Sequence, residues 1–319
     1  MKIGIIGTGV MGTNHLRVAK RTQGVEVSSI YDVDNVRAQK AADQFGITAS
    51  SSIDELCACS DAVIIVTPAF THAEIAMQCL KNNCHVLLEK PIDVDVNKAQ
   101  ELTEYAKKSK CILMIAHIER FNPAFQLLKQ LLINEHIIAL DFQRLATSLG
   151  RDKSADIILD LMIHDIDLAL ALTNSTGINV QAAGICGKNT HNIIDYARAS
   201  VIMNNGILCS FTASGISQER FRKIRAYTVD KQYDADLNTR EITITTMKSS
   251  SIVDKITAIP ISLQVEKFSA SNNDALQTEI SEFVNSISNG LNNAAGAEEG
   301  LEALKLANKI QYISKGTHQ

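Results

Sequence analysis

The chain has 319 residues, of which 45% are hydrophobic and 21% are charged, so it is long enough to form two globular domains with separate cores. Its formal net charge of −4 and the lack of any basic block argue against a nucleic-acid partner. Glycines interrupt the first short apolar stretch, and no later stretch is long enough to span a membrane. We therefore expect a cytoplasmic protein without a membrane partner.

The first 119 residues alternate between apolar runs typical of buried strands and segments with helical periodicity. This alternation predicts βαβ units and a doubly wound parallel sheet, that is, a Rossmann domain. Predicted strands cover residues 3–6, 25–30, 61–66, 85–88 and 111–116. Predicted helices cover residues 11–20, 35–45, 52–59, 71–80 and 94–108, and the fourth of these segments begins at Thr71.

A glycine loop follows the first predicted strand and has the pattern G-x-G-x-x-G. Gly7 permits a tight turn, Gly9 lets the backbone approach a pyrophosphate, and Gly12 lets helix and strand pack closely. The next helix begins at Met11, directly after Val10, and its N-terminus faces the phosphates. The pattern alone is weak, but its position between a strand and a helix predicts a dinucleotide site formed by these five residues.

An acidic residue ends the second predicted strand. Asp32 lies 20 residues after Gly12, where a carboxylate is expected to bond the ribose 2′-hydroxyl of a dinucleotide. A carboxylate there would repel a 2′-phosphate, so the sequence favours NAD over NADP as the cofactor. Arg37 is nearby, but it lies in the following helix, where a solvated role is expected.

Further candidate residues follow the next two strands, because ligands bind at the carboxyl ends of parallel strands. Thr67, Pro68 and His72 are expected to border the cofactor, with a plain helix-cap role as the alternative for His72. Glu89 and Lys90 end the following strand, and the lysine is placed to meet a substrate oxygen. Lys90 precedes a proline, and such a bond can be cis.

The second half of the chain changes character. A helix is expected over residues 124–133, a strand over 137–145 and a helix over 155–172, followed by strands from residue 180 onward and two closing helices. This order predicts a C-terminal α/β domain built on a large open, mainly antiparallel sheet with helices on one face. We therefore divide the chain into domains 1–119 and 120–319. The open face of such a sheet suggests a homo-oligomer, a dimer or a tetramer.

The predicted helix 155–172 carries a polar set at helical spacing. Asp160 and His164 are four residues apart and Asp167 is three residues further on, so the three share one helix face. Such groups are costly to bury without a purpose, although a solvated polar stripe or a metal site has the same pattern. We expect no metal, and the seven cysteines, which form no C-x-x-C pair, are expected to be reduced thiols.

Together, these motifs resemble the glucose–fructose oxidoreductase/inositol dehydrogenase/rhizopine-catabolism (Gfo/Idh/MocA) family over essentially the whole chain. The resemblance implies that Lys90, Asp160 and His164 are catalytic, face the nicotinamide from the two domains and act on a sugar or nucleotide-sugar alcohol. In this scheme His164 takes the hydroxyl proton, Lys90 stabilises the oxygen, and Asp160 orients the substrate or tunes the other two. The roles of Lys90 and His164 are interchangeable at this level.

Within the family, the segments 117–123 and 163–168 most resemble UDP-N-acetylglucosamine 3-dehydrogenases and related UDP-sugar 3-dehydrogenases. One departure concerns the glycine-rich turn that many members carry before the catalytic helix, where this chain has residues 153–156 with the sequence Lys-Ser-Ala-Asp. Arg120 and Arg151 are candidates for diphosphate or carboxylate contacts. The alternatives are an inositol or free-sugar dehydrogenase, a ketosugar reductase, and a non-catalytic dinucleotide-binding regulator.

Overall fold

The computed structural model describes residues 1–147, 156–187, 193–249, 261–290 and 295–316. The chain forms two compact units: the first contains Met1–Phe121 and Asn273–Lys305, and the second contains Asn122–Asn272 and Leu306–Gln319. The predicted division between residues 119 and 120 lies close to the first of these limits. The segment Asn273–Lys305, which the sequence analysis places with the second domain, groups with the first unit.

The first unit is built on a parallel sheet of five strands: β1 (Lys2–Ile6), β2 (Glu26–Tyr31), β3 (Ala62–Ile65), β4 (His85–Glu89) and β5 (Leu113–Ala116). Their order is β2-β1-β3-β4-β5, as in a doubly wound sheet. All residues of β3 and β5 are buried, which is the consequence of a sheet covered on both faces. The predicted Rossmann architecture is therefore confirmed.

Helices follow these strands as α1 (Val10–Ala19), α2 (Asn35–Phe45), α3 (Ile53–Ala58), α4 (His72–Lys81) and α5 (Val96–Lys108). Three of them have side-chain caps, provided by Asp34 for α2, Ser52 for α3 and Asp95 for α5. The Asp34 carboxylate accepts bonds from the backbone at the start of α2, and the Ser52 hydroxyl accepts a bond from the Glu55 N–H at 3.1 Å.

The second unit begins with α6 (Pro123–Leu131) and contains a mixed sheet of eight strands. The strands are β6 (Ile137–Thr147), β7 (Gly177–Cys186), β8 (Ile194–Met203), β9 (Leu208–Ser217), β10 (Phe221–Thr228), β11 (Lys231–Asp236), β12 (Glu241–Ser249) and β13 (Ile261–Ser269). Their order is β13-β12-β11-β10-β6-β9-β8-β7, and only the β6–β9 pair is parallel. The predicted large, mainly antiparallel sheet is confirmed. The sequence also predicts an extended segment over residues 252–265, of which residues 252–260 lie outside the described ranges.

Helix α7 (Ile163–Thr173) packs on β6 and β9, and α6 packs on β11 and β12. Buried apolar residues face these helices, and the rings of Phe142 and Phe211 stack with their centroids 5.2 Å apart. The core of the second unit therefore lies between the sheet and its helices.

The helix expected over residues 155–172 is interrupted. A π-turn covers Ile158–Met162 directly before α7, and in it the Ile163 N–H donates to the Ile158 carbonyl five residues back. Residues 148–155 lie outside the described ranges. Two helices close the chain, α8 (Ala275–Asn289) and α9 (Ala297–Gly316). Helix α8 packs on α1 and on the 3₁₀ turn Ile118–Phe121 of the first unit.

Candidate active site

The loop between β1 and α1 adopts a conformation that requires glycine at two of its positions. Gly7 has a φ of +94°, and a Cβ there would lie 2.5 Å from the Val66 carbonyl oxygen. A Cβ on Gly12 would lie 1.9 Å from the Gly7 oxygen, whereas a Cβ on Gly9 would meet no atom within 4 Å. Gly7 and Gly12 are thus required by packing, and Gly9 leaves an open space beside the loop.

That open space lies at the N-terminus of α1. Gly9 is the N-cap residue and contributes no side-chain cap, so the first N–H groups of the helix are not covered by a capping side chain. Val10 is 84% exposed and Met11 is 42% exposed, although both are apolar. A bare helix N-terminus with a cradle that a Cβ would fill fits the pyrophosphate of a dinucleotide, which the backbone N–H groups of Gly9, Val10 and Met11 would hold.

Asp32 follows β2 directly and is buried. Its Oδ2 accepts bonds from the backbone N–H and the hydroxyl of Thr8 at 2.8 and 2.9 Å, and its Oδ1 accepts a bond from the Asp34 N–H at 2.9 Å. Burial raises the pKa of Asp32, but these bonds and the Arg37 guanidinium 3.6 Å away outweigh burial and leave the pKa below its usual value. The group is therefore a carboxylate at neutral pH, fastened to the glycine loop.

His72 opens α4 and is buried. Its Nδ1 lies 2.7 Å from the Pro91 carbonyl oxygen, and its Nε2 lies 2.9 Å from the Thr67 carbonyl oxygen. The ring thus joins the chain segments that follow β3 and β4. Thr67 also accepts a bond on its hydroxyl from Thr71 at 2.8 Å, and Thr67 is half-buried whereas Pro68 is exposed. His72 is placed to position the cofactor border through the backbone, and its own contact with a cofactor stays a prediction.

Glu89 and Lys90 lie at the carboxyl end of β4, as predicted. Glu89 Oε1 is 3.1 Å from His15 Nε2 on α1, and Glu89 Oε2 accepts a bond from the Lys90 N–H at 3.1 Å. Burial raises the pKa of Glu89, but His15 and Lys90 outweigh that effect and hold the pKa below its usual value. Lys90 is half-buried, and the Lys90–Pro91 peptide is cis.

The predicted catalytic residues of the second unit lie on the π-turn and on α7. Asp160 belongs to the π-turn, His164 lies in the first turn of α7, and both are half-buried. Asp167, which the sequence places on the same face, is fully buried. The structure therefore separates the partly accessible pair Asp160 and His164 from Asp167. The catalytic roles of Asp160 and His164 stay predictions.

A buried ion pair adjoins this segment. The guanidinium of Arg144, on β6, donates from Nε and Nη2 to Asp165 Oδ1 at 3.0 and 2.7 Å. Arg120 is half-buried in the turn Ile118–Phe121 of the first unit, and Arg151 lies outside the described residues.

Within the ranges that the structure describes, no group of three or more His, Cys, Asp or Glu side chains is arranged to hold a metal ion. Searched over the same residues, no helix is long and apolar enough to cross a membrane. The neighbouring Cys79 thiol, together with burial, raises the pKa of Cys57 to about 12, and burial raises the pKa of Cys209 to about 12. These thiols are therefore protonated and unreactive at neutral pH.

Three buried charged or polar residues near the site were not predicted from the sequence. His15 and Glu279 lie in the first unit, and Arg144 lies in the second. A signal was available for Arg144, because it follows Leu140 and Phe142 at alternate positions on the inner face of β6. His15 likewise occurs among the apolar residues that α1 buries. No comparable signal marks Glu279. It lies on the apolar face of α8, but a glutamate in a helix is usually exposed, so the sequence does not indicate that it is buried.

The fold and the glycine loop define the class as an oxidoreductase with a dinucleotide-binding Rossmann domain. Comparison with known families agrees. Residues 1–117 match the NAD-binding Rossmann-fold family model of Gfo/Idh/MocA oxidoreductases, and residues 141–231 match the C-terminal domain model of the same family.

Individual relatives extend this match over the whole chain. A UDP-N-acetylglucosamine 3-dehydrogenase from Acidithiobacillus ferrooxidans is 32% identical over 287 residues, covering 90% of this chain and 88% of the relative. An inositol 2-dehydrogenase from Rhizobium meliloti is 26% identical and covers 96% of this chain and 94% of the relative. A solved structure of the Acidithiobacillus ferrooxidans enzyme matches with a TM-score of 0.91 at 29% identity, covering 100% of this chain and 99% of that one.

The chain therefore belongs to the Gfo/Idh/MocA oxidoreductase family, and the family resemblance of its motifs is confirmed. Its class is that of the dehydrogenases acting on CH–OH groups, as the sequence predicts.

Proposed function

We propose that this protein is an NAD-dependent UDP-sugar 3-dehydrogenase, which transfers a hydride between carbon 3 of a UDP-linked sugar and the nicotinamide. The observation that carries the proposal is the 32% identity over 90% of the chain to a UDP-N-acetylglucosamine 3-dehydrogenase. That match extends through the second unit, which is expected to supply the sugar contacts. UDP-N-acetylglucosamine is therefore the first substrate to test.

In the proposed reaction, residues of this chain accept the proton of the substrate hydroxyl and stabilise the charge on its oxygen. His164 accepts the proton of the substrate hydroxyl, and the O–H electron pair becomes the second bond of the ketone. Lys90 donates a hydrogen bond to that oxygen and stabilises the negative charge that develops on it. Asp160 orients the substrate or tunes its partners. Bound NAD would supply the hydride acceptor, so the overall reaction would give one ketone, one NADH and one proton per alcohol.

NAD is proposed in preference to NADP because of Asp32. Its carboxylate is ionised and held by Thr8 and Asp34, so it cannot turn away from a 2′-phosphate without losing three hydrogen bonds. Arg37, the nearest cation, is itself paired with Asp34 at 3.2 Å. We expect Asp32→Ser to narrow or reverse the preference for NAD, measured as the ratio of kcat/KM with NAD to that with NADP. An unchanged ratio would remove Asp32 from the selection of the cofactor.

A second candidate is an inositol dehydrogenase, which the match to the Rhizobium meliloti inositol 2-dehydrogenase favours. The two proposals differ in whether a nucleotide diphosphate contributes to binding. Purified protein is assayed with NAD and, separately, UDP-N-acetylglucosamine, free N-acetylglucosamine, myo-inositol and glucose 6-phosphate. We expect NADH formation only with the UDP-sugar, and turnover of myo-inositol alone would overturn the proposal in favour of the second candidate.

The catalytic assignment is tested with Lys90→Met, His164→Asn and the double variant. Each single variant should lower kcat by at least about 10²-fold while NADH still binds. Since both groups act on the same oxygen in one step, the double variant should lose little more than the worse single variant. Wild-type kcat in both single variants would refute the assignment, whereas a wild-type protein that binds NADH but turns over no sugar would favour a dinucleotide-binding regulator.

A homo-oligomer is proposed on the outer face of the second unit's sheet. Two apolar cross-strand pairs are exposed there, Ile202 with Leu208 and Met247 with Leu263. A soluble monomer seldom leaves such a face uncovered. Sedimentation analysis should give a dimer or tetramer, and a monomer at micromolar concentration would refute this proposal. The cytoplasmic location stays a prediction from the sequence.

A further inference from the structure

The second unit contains a buried ion pair beside its predicted catalytic residues. Arg144 is 2% exposed, Asp165 is 3% exposed, and two N–H groups of the guanidinium donate to one carboxylate oxygen. Arg144 projects from the inner face of β6, where Leu140 and Phe142 precede it. Removing two charges from water is costly, and well-packed apolar residues often stabilise a core as much as such a pair does. A contribution to stability therefore does not by itself explain why this charged pair is buried here.

The position of the pair along the chain suggests a different role. Asp165 follows His164 directly, and the π-turn that carries Asp160 ends three residues before it. A π-turn holds one residue more than the corresponding α-helical turn. If it relaxed to α geometry, the residues on its two sides would rotate by about 100° and shift by about 1.5 Å relative to one another. The relative direction of Asp160 and His164 thus depends on the π-turn.

Both sides of the π-turn are fixed in the structure. Before and within it, Ile157, Ile158 and Met162 are fully buried and hold that part against the core. After it, Arg144 holds Asp165 through a two-point bond to β6. Relaxation to α geometry would withdraw either the apolar residues from the core or Asp165 from Arg144. An apolar residue at position 165 would resist rotation less, because dispersion contacts lack the direction of a two-point hydrogen bond.

We propose that Arg144 and Asp165 are positioning residues for the reaction: their ion pair fixes the rotation of α7 and the π-turn, so that Asp160 and His164 are held in the relative orientation that the substrate requires. The inference rests on the proposed function, since it assigns a task to residues proposed to act on the sugar. Neither Arg144 nor Asp165 is taken to touch the substrate.

The test compares the double variant Arg144→Met/Asp165→Leu with wild type. Because both charges are removed together, the thermal midpoint should stay within a few degrees of wild type and the NADH dissociation constant should not change. We expect kcat to fall by about 10- to 100-fold with KM changed less than about threefold, because misplacing a catalytic group by about 1 Å has an effect of this size. If the pair served stability alone, the folded double variant would have the kcat of wild type.

A matched control and a second variant keep the test decisive. Arg225 and Asp234 form a partly exposed ion pair between β10 and β11, and the corresponding change Arg225→Met/Asp234→Leu should leave kcat unchanged. Arg144→Lys keeps the positive charge but loses the two-point bond, and should give an intermediate kcat. It also serves as the test if the double variant does not fold.

The structural part is read without activity, by amide hydrogen exchange of the peptide containing residues 157–165. Exchange should be at least about tenfold faster in the double variant, or in Arg144→Lys, than in wild type. Wild-type exchange together with wild-type kcat would overturn the inference. A wild-type protein inactive on all sugars would instead remove the proposed function, and faster exchange in the variant would still show that the pair holds the π-turn.

Discussion

Replacement of Glu279 by glutamine should make the protein more stable, and the gain should grow as the pH rises. Glu279 lies on α8, is 0% exposed, and is surrounded by apolar neighbours including Ile280 and Phe283. Within the described part of the chain, neither of its carboxyl oxygens has a hydrogen-bond partner. Burial raises its pKa well above the usual value of 4.5, and the nearby Glu89 carboxylate raises it further. The folded protein therefore keeps a proton that the unfolded chain releases.

The sign and size follow from that proton. Below pH 4.5 both states are protonated, so Glu279 carries no electrostatic penalty. As the pH rises toward the folded-state pKa, the unfolded chain ionises and the free energy of unfolding falls by about 1.4 kcal/mol per pH unit. Between about pH 5.5 and 7.5 the loss reaches at most about 2.7 kcal/mol. Glutamine does not titrate, so Glu279→Gln escapes this loss.

Urea unfolding of wild type and Glu279→Gln at pH 5.5 and 7.5 measures the effect. The stability difference should favour the variant by up to about 2.7 kcal/mol more at the higher pH, with equal m-values. Glu282→Gln is the matched control for the replacement of a carboxyl by an amide, since Glu282 is only half-buried on the same helix. A difference for Glu279→Gln that does not change with pH would refute the conclusion that the buried carboxyl keeps its proton.

Further predictions concern the glycine loop and the histidine that joins two strand ends. Gly9→Ala should keep the wild-type thermal midpoint but raise the NADH dissociation constant at least tenfold, because its Cβ enters only the open space beside the loop. Gly12→Ala should lower both the midpoint and the affinity, because its Cβ would overlap the Gly7 carbonyl; equal midpoints for the two variants would contradict this. His72→Phe should cost about 1–3 kcal/mol of stability in urea unfolding, because the ring nitrogens that contact the Pro91 and Thr67 carbonyl oxygens are lost, and an unchanged midpoint would refute that role.

The first unit was largely predictable from the sequence because its signals are local. The run Ala62–Ile65 has no polar residue, and such a run is typical of a strand buried on both faces. The glycine loop and Asp32 are defined by spacing within 30 residues, which parallel strands and short loops preserve. The end of β4 at Glu89 was predicted for the same reason, and Lys90 followed from it.

Prediction was weaker where the outcome depends on residues distant in sequence. Nothing in the sequence from residue 155 to 172 indicates the π-turn, because an extra residue in one turn alters neither composition nor helical spacing visibly. The sequence also does not indicate that Asn273–Lys305 belongs to the first unit. The pattern of an amphipathic helix such as α8 shows which face is apolar, but not against which core that face packs. The burial of Asp167 follows from tertiary packing and contradicts no local pattern.

The two units also differ in the kind of group that bears the chemistry, and this difference explains why one was easier to predict. In the first unit the predicted cofactor site is mainly backbone: the loop, the start of α1, and the carbonyls that His72 joins. Backbone sites require glycines and prolines at fixed spacing, so they leave visible motifs. In the second unit the candidate groups are side chains. Their direction depends on Arg144, which lies 16 residues before Asp160 in the chain. A short sequence motif contains such side chains but not the distant residues that orient them. Substitutions beside Arg144 and Asp165 should therefore alter turnover more readily than substitutions of equal size that flank the glycine loop.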